Sequence, residues 1–324
     1  GLNTKVAQVV AHELGLNLEH IRVTATDTTK VANTSATAAS TGTDLNGKAA
    51  QDAAYQIRQR LTTVAAQLFS VEESSVKFER GQVEIGDQTM PFFQLVEHAY
   101  QARVQLWSDG FYATPGLHWD SKVMKGNPFY YFSYGAAVAE VLIDTLTGEN
   151  RILRADLLHD TGASLNPAID IGQVEGAYVQ GAGWLTTEEL VFDKQGRLRT
   201  HAPSTYKIPA ASDCPADFRV SIWRKGRNRE AAIHHSKAVG EPPRCTWPSV
   251  VTRISSLSPT CALIFSAISV AWPSSSPSAT TTMEEDLERL HPSLSDDTTF
   301  FSGVWVSGTI TISAPPPIPD CTAI

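Results

Sequence analysis

Asn166-Pro167-Ala168-Ile169-Asp170-Ile171-Gly172-Gln173-Val174-Glu175-Gly176 runs on through Val179-Gln180-Gly181-Ala182-Gly183, and the chain is read outward from this stretch. From Asp170 to Leu185 it has the form of a glycine-punctuated helix. Gly172, Gly176 and Gly181 recur at near-helical spacing, so one face carries almost no side chain. Tight packing against another helix accounts for that. So does a large planar cofactor lying on the bare face, with Gln180 able both to donate and to accept a hydrogen bond. Upstream, Phe129 to Thr145 predicts a long strand, Thr147-Gly148-Glu149-Asn150 a turn, and Arg151 to Leu158 a returning strand. Downstream, Phe218-Arg219-Val220-Ser221-Ile222 alternates as a strand.

Nearer the start the pattern is also mixed α and β. Val6, Val9, Val10 and Leu14 mark a helix over Lys5 to Leu14, stopped by Gly15. Ile21-Arg22-Val23 reads as a short strand within His20 to Asp27. Ala50, Ala53, Ala54, Ile57, Leu61, Val64 and Leu68 line one side of a long helix over Gly47 to Phe69. Pro91 to Ala102 predicts a further helix, with Pro91 in its first turn. No internal repeat is visible.

Two more segments invite a chemical reading. Asn33-Thr34-Ser35-Ala36-Thr37-Ala38-Ala39-Ser40-Thr41-Gly42-Thr43-Asp44-Leu45-Asn46-Gly47 strings together small and hydroxylated residues ahead of the long helix. Such a run lets backbone N–H groups approach an anion, or it caps the helix. Ser236-Lys237-Ala238-Val239-Gly240-Glu241-Pro242-Pro243 holds a carboxylate between a flexible glycine and a rigid proline pair. That arrangement suits a fixed general base, or an ordinary surface turn.

Composition removes several function classes. The formal net charge of -8 argues against a nucleic-acid surface. The one basic cluster, Trp223-Arg224-Lys225-Gly226-Arg227-Asn228-Arg229, reads as a solvated hairpin loop. Up to Pro243 the only cysteine is Cys214, so no disulfide framework arises there, and a cytoplasmic setting is expected. No secretory signal opens the chain. The longest mostly apolar run, Cys261 to Trp272, is about 12 residues against the roughly 20 that a spanning helix needs, so no membrane role is expected. His234-His235 are structural on this reading, because neighbouring residues in a strand face opposite ways. Asp156, His159 and Asp160 belong to a strand end and its turn. No phosphate-loop lysine motif and no cysteine cluster for an iron–sulfur centre are present, and no side-chain metal site is expected.

Taken together, and with Gly126-Asn127-Pro128-Phe129-Tyr130-Tyr131-Phe132-Ser133-Tyr134-Gly135 and Pro203-Ser204-Thr205-Tyr206-Lys207-Ile208-Pro209, these segments resemble xanthine dehydrogenase in order and spacing. The resemblance covers nearly all of Gly1 to Pro243, and five separated motifs make it far more specific than any one. It is to the molybdenum-cofactor-binding large subunit of the bacterial type, as a C-terminal fragment. The family implies an α+β fold with a molybdenum–molybdopterin centre. By matched position, Ala38, Ala39, Ser40 and Gly42 would lie along the pterin, and Gln180 would contact it further on. Glu241 aligns with the family's catalytic base, which works beside a molybdenum centre that oxidises an electron-poor ring carbon of hypoxanthine or xanthine, ending at urate. Electrons then leave through iron–sulfur clusters and FAD, here expected on a partner subunit, so that the intact enzyme is a hetero-oligomer.

Two departures accompany the resemblance. The family's Met-Gly-Gln, and the Arg, Glu and Phe that hold the purine, fall before Gly1. After Pro243 the family continues into an apolar helix, whereas Arg244-Cys245-Thr246-Trp247-Pro248 offers a proline and no apolar period. Beyond Arg244 there is no lysine, and serine, threonine and proline crowd in, as at Pro273-Ser274-Ser275-Ser276-Pro277-Ser278. Runs such as Ile264-Phe265-Ser266-Ala267-Ile268 show no sustained period. The expectation is a molybdopterin-binding domain fragment over 1–243 and an unrelated low-complexity tail over 244–324, read either as a disordered tail or as translation in a shifted frame, with a genuine lineage-specific tail as the alternative. The chain alone would then be inactive. The competing readings are a non-catalytic remnant that binds no cofactor, and a hydroxylase of another heterocycle or an aldehyde.

Overall fold

The computed structural model describes residues 1–24, 37 and 40–240, together with the backbone of 251–256, 262–271 and 306–311. The chain divides into two compact units, one of residues 1–128 with the strand at 306–311, the other from Phe129 through the strand at 262–271.

In the first unit, α1 (Leu2–Leu14) ends where Gly15 adopts a left-handed backbone, φ 64°. A Cβ at Gly15 would lie 2.4 Å from the Phe78 backbone, so the helix end docks closely on the meander that follows, and Gly81 N donates to Gly15 O at 2.7 Å. The long helix α2 spans Gly42–Phe69. It begins five residues before the Gly47 expected from its apolar stripe, because Gly42 and Gly47 are buried against neighbouring chain and tertiary packing overrides their poor propensity. Strands β1 (Val76–Glu79), β2 (Gln82–Ile85) and β3 (Gln88–Pro91) form an antiparallel sheet and lead into α3 (Phe92–Gln101). Pro91 is the N-cap of α3 rather than part of its first turn.

Leu14, Ile57, Leu61, Val83, Ile85, Phe92, Leu95 and Val96 form one fully buried core from these elements. Glu13, also buried, is matched by Arg58 at 3.0 Å and Gln51 at 3.1 Å. Strand β4 (Trp107–Tyr112) lies on the alanine-rich side of α2, so close that a Cβ at Gly110 would sit 1.9 Å from Ala49 O. A two-stranded ribbon, β5 (His118–Asp120) and β6 (Lys125–Asn127), completes the unit before Pro128.

In the second unit, β7 (Gly135–Asp144) and β8 (Asn150–His159) make the expected antiparallel hairpin, with a bulge at Glu140/Val141. The amides of Leu146 and Thr147 donate to Asp144 in the turn and hold its carboxyl below the usual range. Helix α4 (Pro167–Thr186) opens with Asn166 accepting from Ile169 N and Pro167 in the first turn. β9 (Asp217–Ile222) returns parallel to β8. Val174, Tyr178 and Ala182 of α4 pack on Ala137, Ala155 and Leu157 of the sheet, with the Tyr178 and Phe218 rings 5.2 Å apart.

Three predicted features differ. Phe129–Tyr134 is not strand, and β7 starts only at Gly135. Ile21-Arg22-Val23 has no regular structure, following a short 3-10 turn at Leu18–His20. Beyond Arg244, where no strand period was legible, β10 (Val251–Ser256) and β11 (Ala262–Ala271) extend the second unit's sheet in the order β10-β11-β7-β8-β9. β12 (Val306–Thr311) pairs antiparallel with β4. Backbone pairing along β7, not side-chain alternation, defines β11. The remainder of the expected disordered tail lies outside the described residues. Among the described residues, no helix is long and apolar enough to cross a membrane.

Candidate functional site

In the first unit the Ser/Thr-rich stretch ends at the start of α2. Ala38 and Ala39 lie outside the described residues. Ser40 adopts a left-handed backbone, φ 53°, an uncommon conformation for a residue with a side chain. Thr41 is the N-cap of α2 but makes no side-chain cap bond, so its hydroxyl does not take up the first-turn N–H groups. Gly42 is buried, and a Cβ there would meet the Leu2 and Thr37 side chains, each at 2.9 Å.

In the second unit the glycine face of α4 separates the two sequence readings. A Cβ at Gly172 or Gly176 would meet nothing within 4 Å, and Gln180, one turn further on, is exposed. Val174, Ala177, Tyr178 and Ala182 form the opposite, buried side. Gly172 and Gly176 are therefore not consumed by helix packing. Gly183 is different: its position is crowded by Glu188 Oε1 at 2.4 Å and Pro209 at 2.5 Å. Tyr206 of the Pro203–Pro209 segment donates to Glu188 at 2.5 Å, which pushes its phenol pKa up. That motif thereby ties the following loop to the end of α4.

The strap Ser236–Gly240 leads into Glu241, and its first three residues are bonded from several sides. Glu241 itself lies outside the described residues. Ser236 pairs with Gly162 as an isolated antiparallel bridge, Lys237 N donates to Thr161 O at 2.8 Å, and Ala163 N donates to His235 O at 2.9 Å. Gly162 has φ 63°, and a Cβ there would lie 2.5 Å from His235 O, so glycine is required for this approach. Ala238 N donates to the Tyr131 hydroxyl at 2.9 Å, and the Ser133 hydroxyl donates to Ala238 O at 3.1 Å. Lys237 Nζ meets Asp160 Oδ2 at 2.5 Å and lies 5.0 Å from the centroid of the Tyr134 ring.

His159 also hydrogen-bonds the Ala238 backbone, although its burial outweighs that bond and pushes the imidazole pKa down. Its Nε2 and the Thr161 hydroxyl are buried with no hydrogen-bond partner among the described residues. His234 and His235 lie in a 3-10 turn over Ile233–His235 with left-handed backbones, not in the strand assumed for them, and His235 Nδ1 lies 3.1 Å from Asn228 O. Asn228, fully buried, donates to Ser236 O at 2.8 Å.

Sequence reasoning named Asp160 and His159 only as turn residues, and did not foresee their role under the strap. The signal for the aromatic anchors was their density of hydroxyls: Tyr130, Tyr131, Ser133 and Tyr134 in a run otherwise read as strand.

Residues 1–215 match the molybdopterin cofactor-binding domain family. Over 243 residues, 75% of the chain, it is 47% identical to a xanthine dehydrogenase/oxidase of Mus musculus. Over 253 residues it is 45% identical to a xanthine dehydrogenase of Dictyostelium discoideum. In each case the match spans only 17% of the relative's length. Among solved structures it is similar to quinoline 2-oxidoreductase of Pseudomonas putida 86, with a TM-score of 0.60, 24% identity, 75% of this chain and 30% of that one. A Cu,Mo-CO dehydrogenase gives a TM-score of 0.58 at 22% identity, over 75% of this chain and 29% of that one. At these identities the structures bear on the fold alone.

Proposed function

The chain belongs to the molybdopterin cofactor-binding domain family, and from that premise we propose that it is a segment of a xanthine dehydrogenase that oxidatively hydroxylates hypoxanthine and xanthine to urate. The similar relatives in mouse and Dictyostelium carry the xanthine dehydrogenase name, which supports this branch; neither supports the bacterial form. In this reading Glu241 is the general base, and Ala38, Ala39, Ser40, Gly42 and Gln180 line the pterin.

One observation supports the fit of a molybdenum–molybdopterin group. The open face of α4 at Gly172 and Gly176 leaves room for a planar body beside Gln180, whose amide both donates and accepts. When bound, the cofactor supplies the two-electron redox chemistry and a metal that acidifies oxygen ligands.

The protein's own part is positional. The observation that carries the proposal is the strap: backbone and side-chain bonds from Tyr131, Ser133, His159, Asp160 and Thr161 converge on Lys237 and Ala238, just before the carboxylate. A general base works only within hydrogen-bond reach of the proton it removes, so a strap held from several sides is what such a base needs. Glu241→Gln in the full-length enzyme is expected to lower turnover by roughly 100- to 10,000-fold with molybdenum and pterin content unchanged. Near-normal turnover would contradict the assignment.

In the same reading, iron–sulfur clusters and FAD sit on a partner subunit in the cytoplasm, and the sequence of residues 244–324 is unrelated to the family, although its strands β10, β11 and β12 pair with the two units. The matches with the mouse and Dictyostelium relatives cover 75% and 77% of the chain, which leaves about a quarter of it unmatched and supports the latter. Resequencing across the codons for Glu241 to Pro248 tests it. A second frame that continues as an apolar helix is the expected result, and its absence would make the tail genuine.

A further inference from the structure

Strand β4 has one edge closed by side chains and one left to another strand. Asp52, Gln56 and Arg60 stand about one helical turn apart along α2. Arg60 Nη1 donates to Trp107 O at 3.0 Å, Gln56 Nε2 donates to Asp109 O at 3.1 Å, and Phe111 N donates to Asp52 Oδ2 at 3.1 Å. Four helical residues rise about 6 Å and two strand residues roughly 6.8 Å, so these side chains keep step with β4 and replace a neighbouring strand along this edge. The Ser108 hydroxyl donates to Gln56 Oε1 at 2.9 Å, and Gly110 lies too close to the α2 backbone to carry a side chain. In an extended strand, successive residues turn their N–H and C=O groups to opposite edges. The backbone groups of Ser108, Gly110 and Tyr112 therefore face away from this ladder. Here β12 takes that edge in antiparallel register, with Val306 opposite Tyr112 and Thr311 opposite Trp107.

We propose that the outer edge of β4 is a strand-acceptor site, filled in the full-length enzyme by an extended segment of its own polypeptide from outside residues 1–243. This rests on the reading of the chain as a segment of a longer xanthine dehydrogenase with an unrelated tail, in which β12 stands where another strand belongs. The match with the mouse relative spans 17% of that protein's length, so ample polypeptide remains to supply the strand. An edge of this kind is a template for pairing, and neither lysine nor proline blunts it: β4 reads Trp107-Ser108-Asp109-Gly110-Phe111-Tyr112. Main-chain bonds to an edge ask little of the incoming sequence, which is how a strand from an unrelated tail can take it. Selectivity comes from the outer face, where Trp107 and Phe111 are exposed on either side of Asp109. Cross-strand pairing favours β-branched or aromatic residues opposite the two rings and a basic residue opposite Asp109.

Hydrogen exchange combined with cross-linking provides the test. In the 324-residue chain, Gly308→Pro in β12 is expected to speed exchange at the Gly110 and Tyr112 amides by about tenfold or more. The Phe111 amide, bonded to Asp52, and the amides of α2 should hold. Thr309→Glu sets a like charge opposite Asp109 and should speed the same exchange by less, whereas Thr309→Lys should slow it. The Thr309 variants leave the β12 backbone intact and decide the matter should the proline loosen the whole unit. In the full-length enzyme without residues 244–324, Gly110 and Tyr112 should exchange as slowly as in the chain. There, the photo-cross-linker p-benzoylphenylalanine in place of Trp107 should join a segment of the same polypeptide from outside residues 1–243. Fast exchange at Gly110 and Tyr112 in the full-length enzyme would overturn the proposal. So would cross-links confined to residues 1–243, to a second copy or to another protein, or exchange in the chain that neither Gly308→Pro nor Thr309→Glu changes. If the full-length enzyme fails to oxidise hypoxanthine or xanthine, the functional reading falls, and the exchange and cross-linking results still decide the edge.

Discussion

The core around α2 and the strap before Glu241 are held in different ways. In the first unit, Ile57, Leu61, Phe92 and Leu95 vanish from solvent together, and the helix is fixed by apolar area and shape. In the second, Val239 of the strap packs on the sheet's core, while Lys237 and Ala238 are fixed by directed bonds to two hydroxyls, an imidazole, a carboxylate and a neighbouring backbone. Apolar packing tolerates small shifts and specifies mainly volume. Hydrogen bonds specify angle and distance. A scaffold is adequately served by the first, whereas a base that must meet one proton needs the second.

The difference can be broken from either side. Leu61→Ala empties a fully buried position and is expected to cost about 2–5 kcal/mol, seen as a lower urea midpoint with the slope unchanged. Gly162→Ala attacks the strap where a left-handed backbone meets His235 O, and should cost about 1–3 kcal/mol in the same titration. A loss as small as a surface substitution gives would show that the close approach is not needed. Tyr131→Phe removes the acceptor for the Ala238 amide and is expected to cost about 0.5–1.5 kcal/mol.

His159 offers the subtlest probe. Its imidazole pKa is pushed below the ordinary value of 6.5, so the unfolded chain binds the proton more readily than the folded one. The stability tied to the neutral ring is therefore complete above pH 6.5 and fades as the pH falls towards the lowered native value. His159→Gln should flatten this part of the stability–pH curve. An unchanged slope would remove His159 from the account.

Much of this architecture was legible in advance, and the reasons are local. The β7–β8 turn is written in Thr147-Gly148, the stop of α1 in Gly15, and α4 in its glycine-punctuated helical form, although the Asn166 cap and Pro167 move its start three residues ahead of the expected Asp170. The start of α2 was misplaced because glycine, threonine and asparagine are poor helix formers, and only burial against α1 makes Gly42 helical. Phe129–Tyr134 passes for strand by composition, yet its hydroxyls are spent on residues a hundred positions away: Tyr130 on Ala231, Tyr131 and Ser133 on Ala238. The Asp160–Lys237 pair is illegible for the same reason, since no spacing rule links positions 77 apart. The glycines of α4 were read as a bare face, but sequence alone could not tell helix packing from an open surface. The structure leaves Gly172 and Gly176 open and crowds Gly183.

The proposal that this chain holds a molybdopterin group draws on that open face, and Gly176→Leu tests this part of it most directly. Nothing lies within 4 Å of the new Cβ, and leucine is a better helix former than glycine, so the thermal midpoint should hold or rise. Purified full-length enzyme with this change is expected to keep its fold and lose most of its molybdenum and pterin fluorescence, because the leucine fills the space the cofactor needs. Normal molybdenum and pterin content in a well-folded Gly176→Leu enzyme would contradict the account.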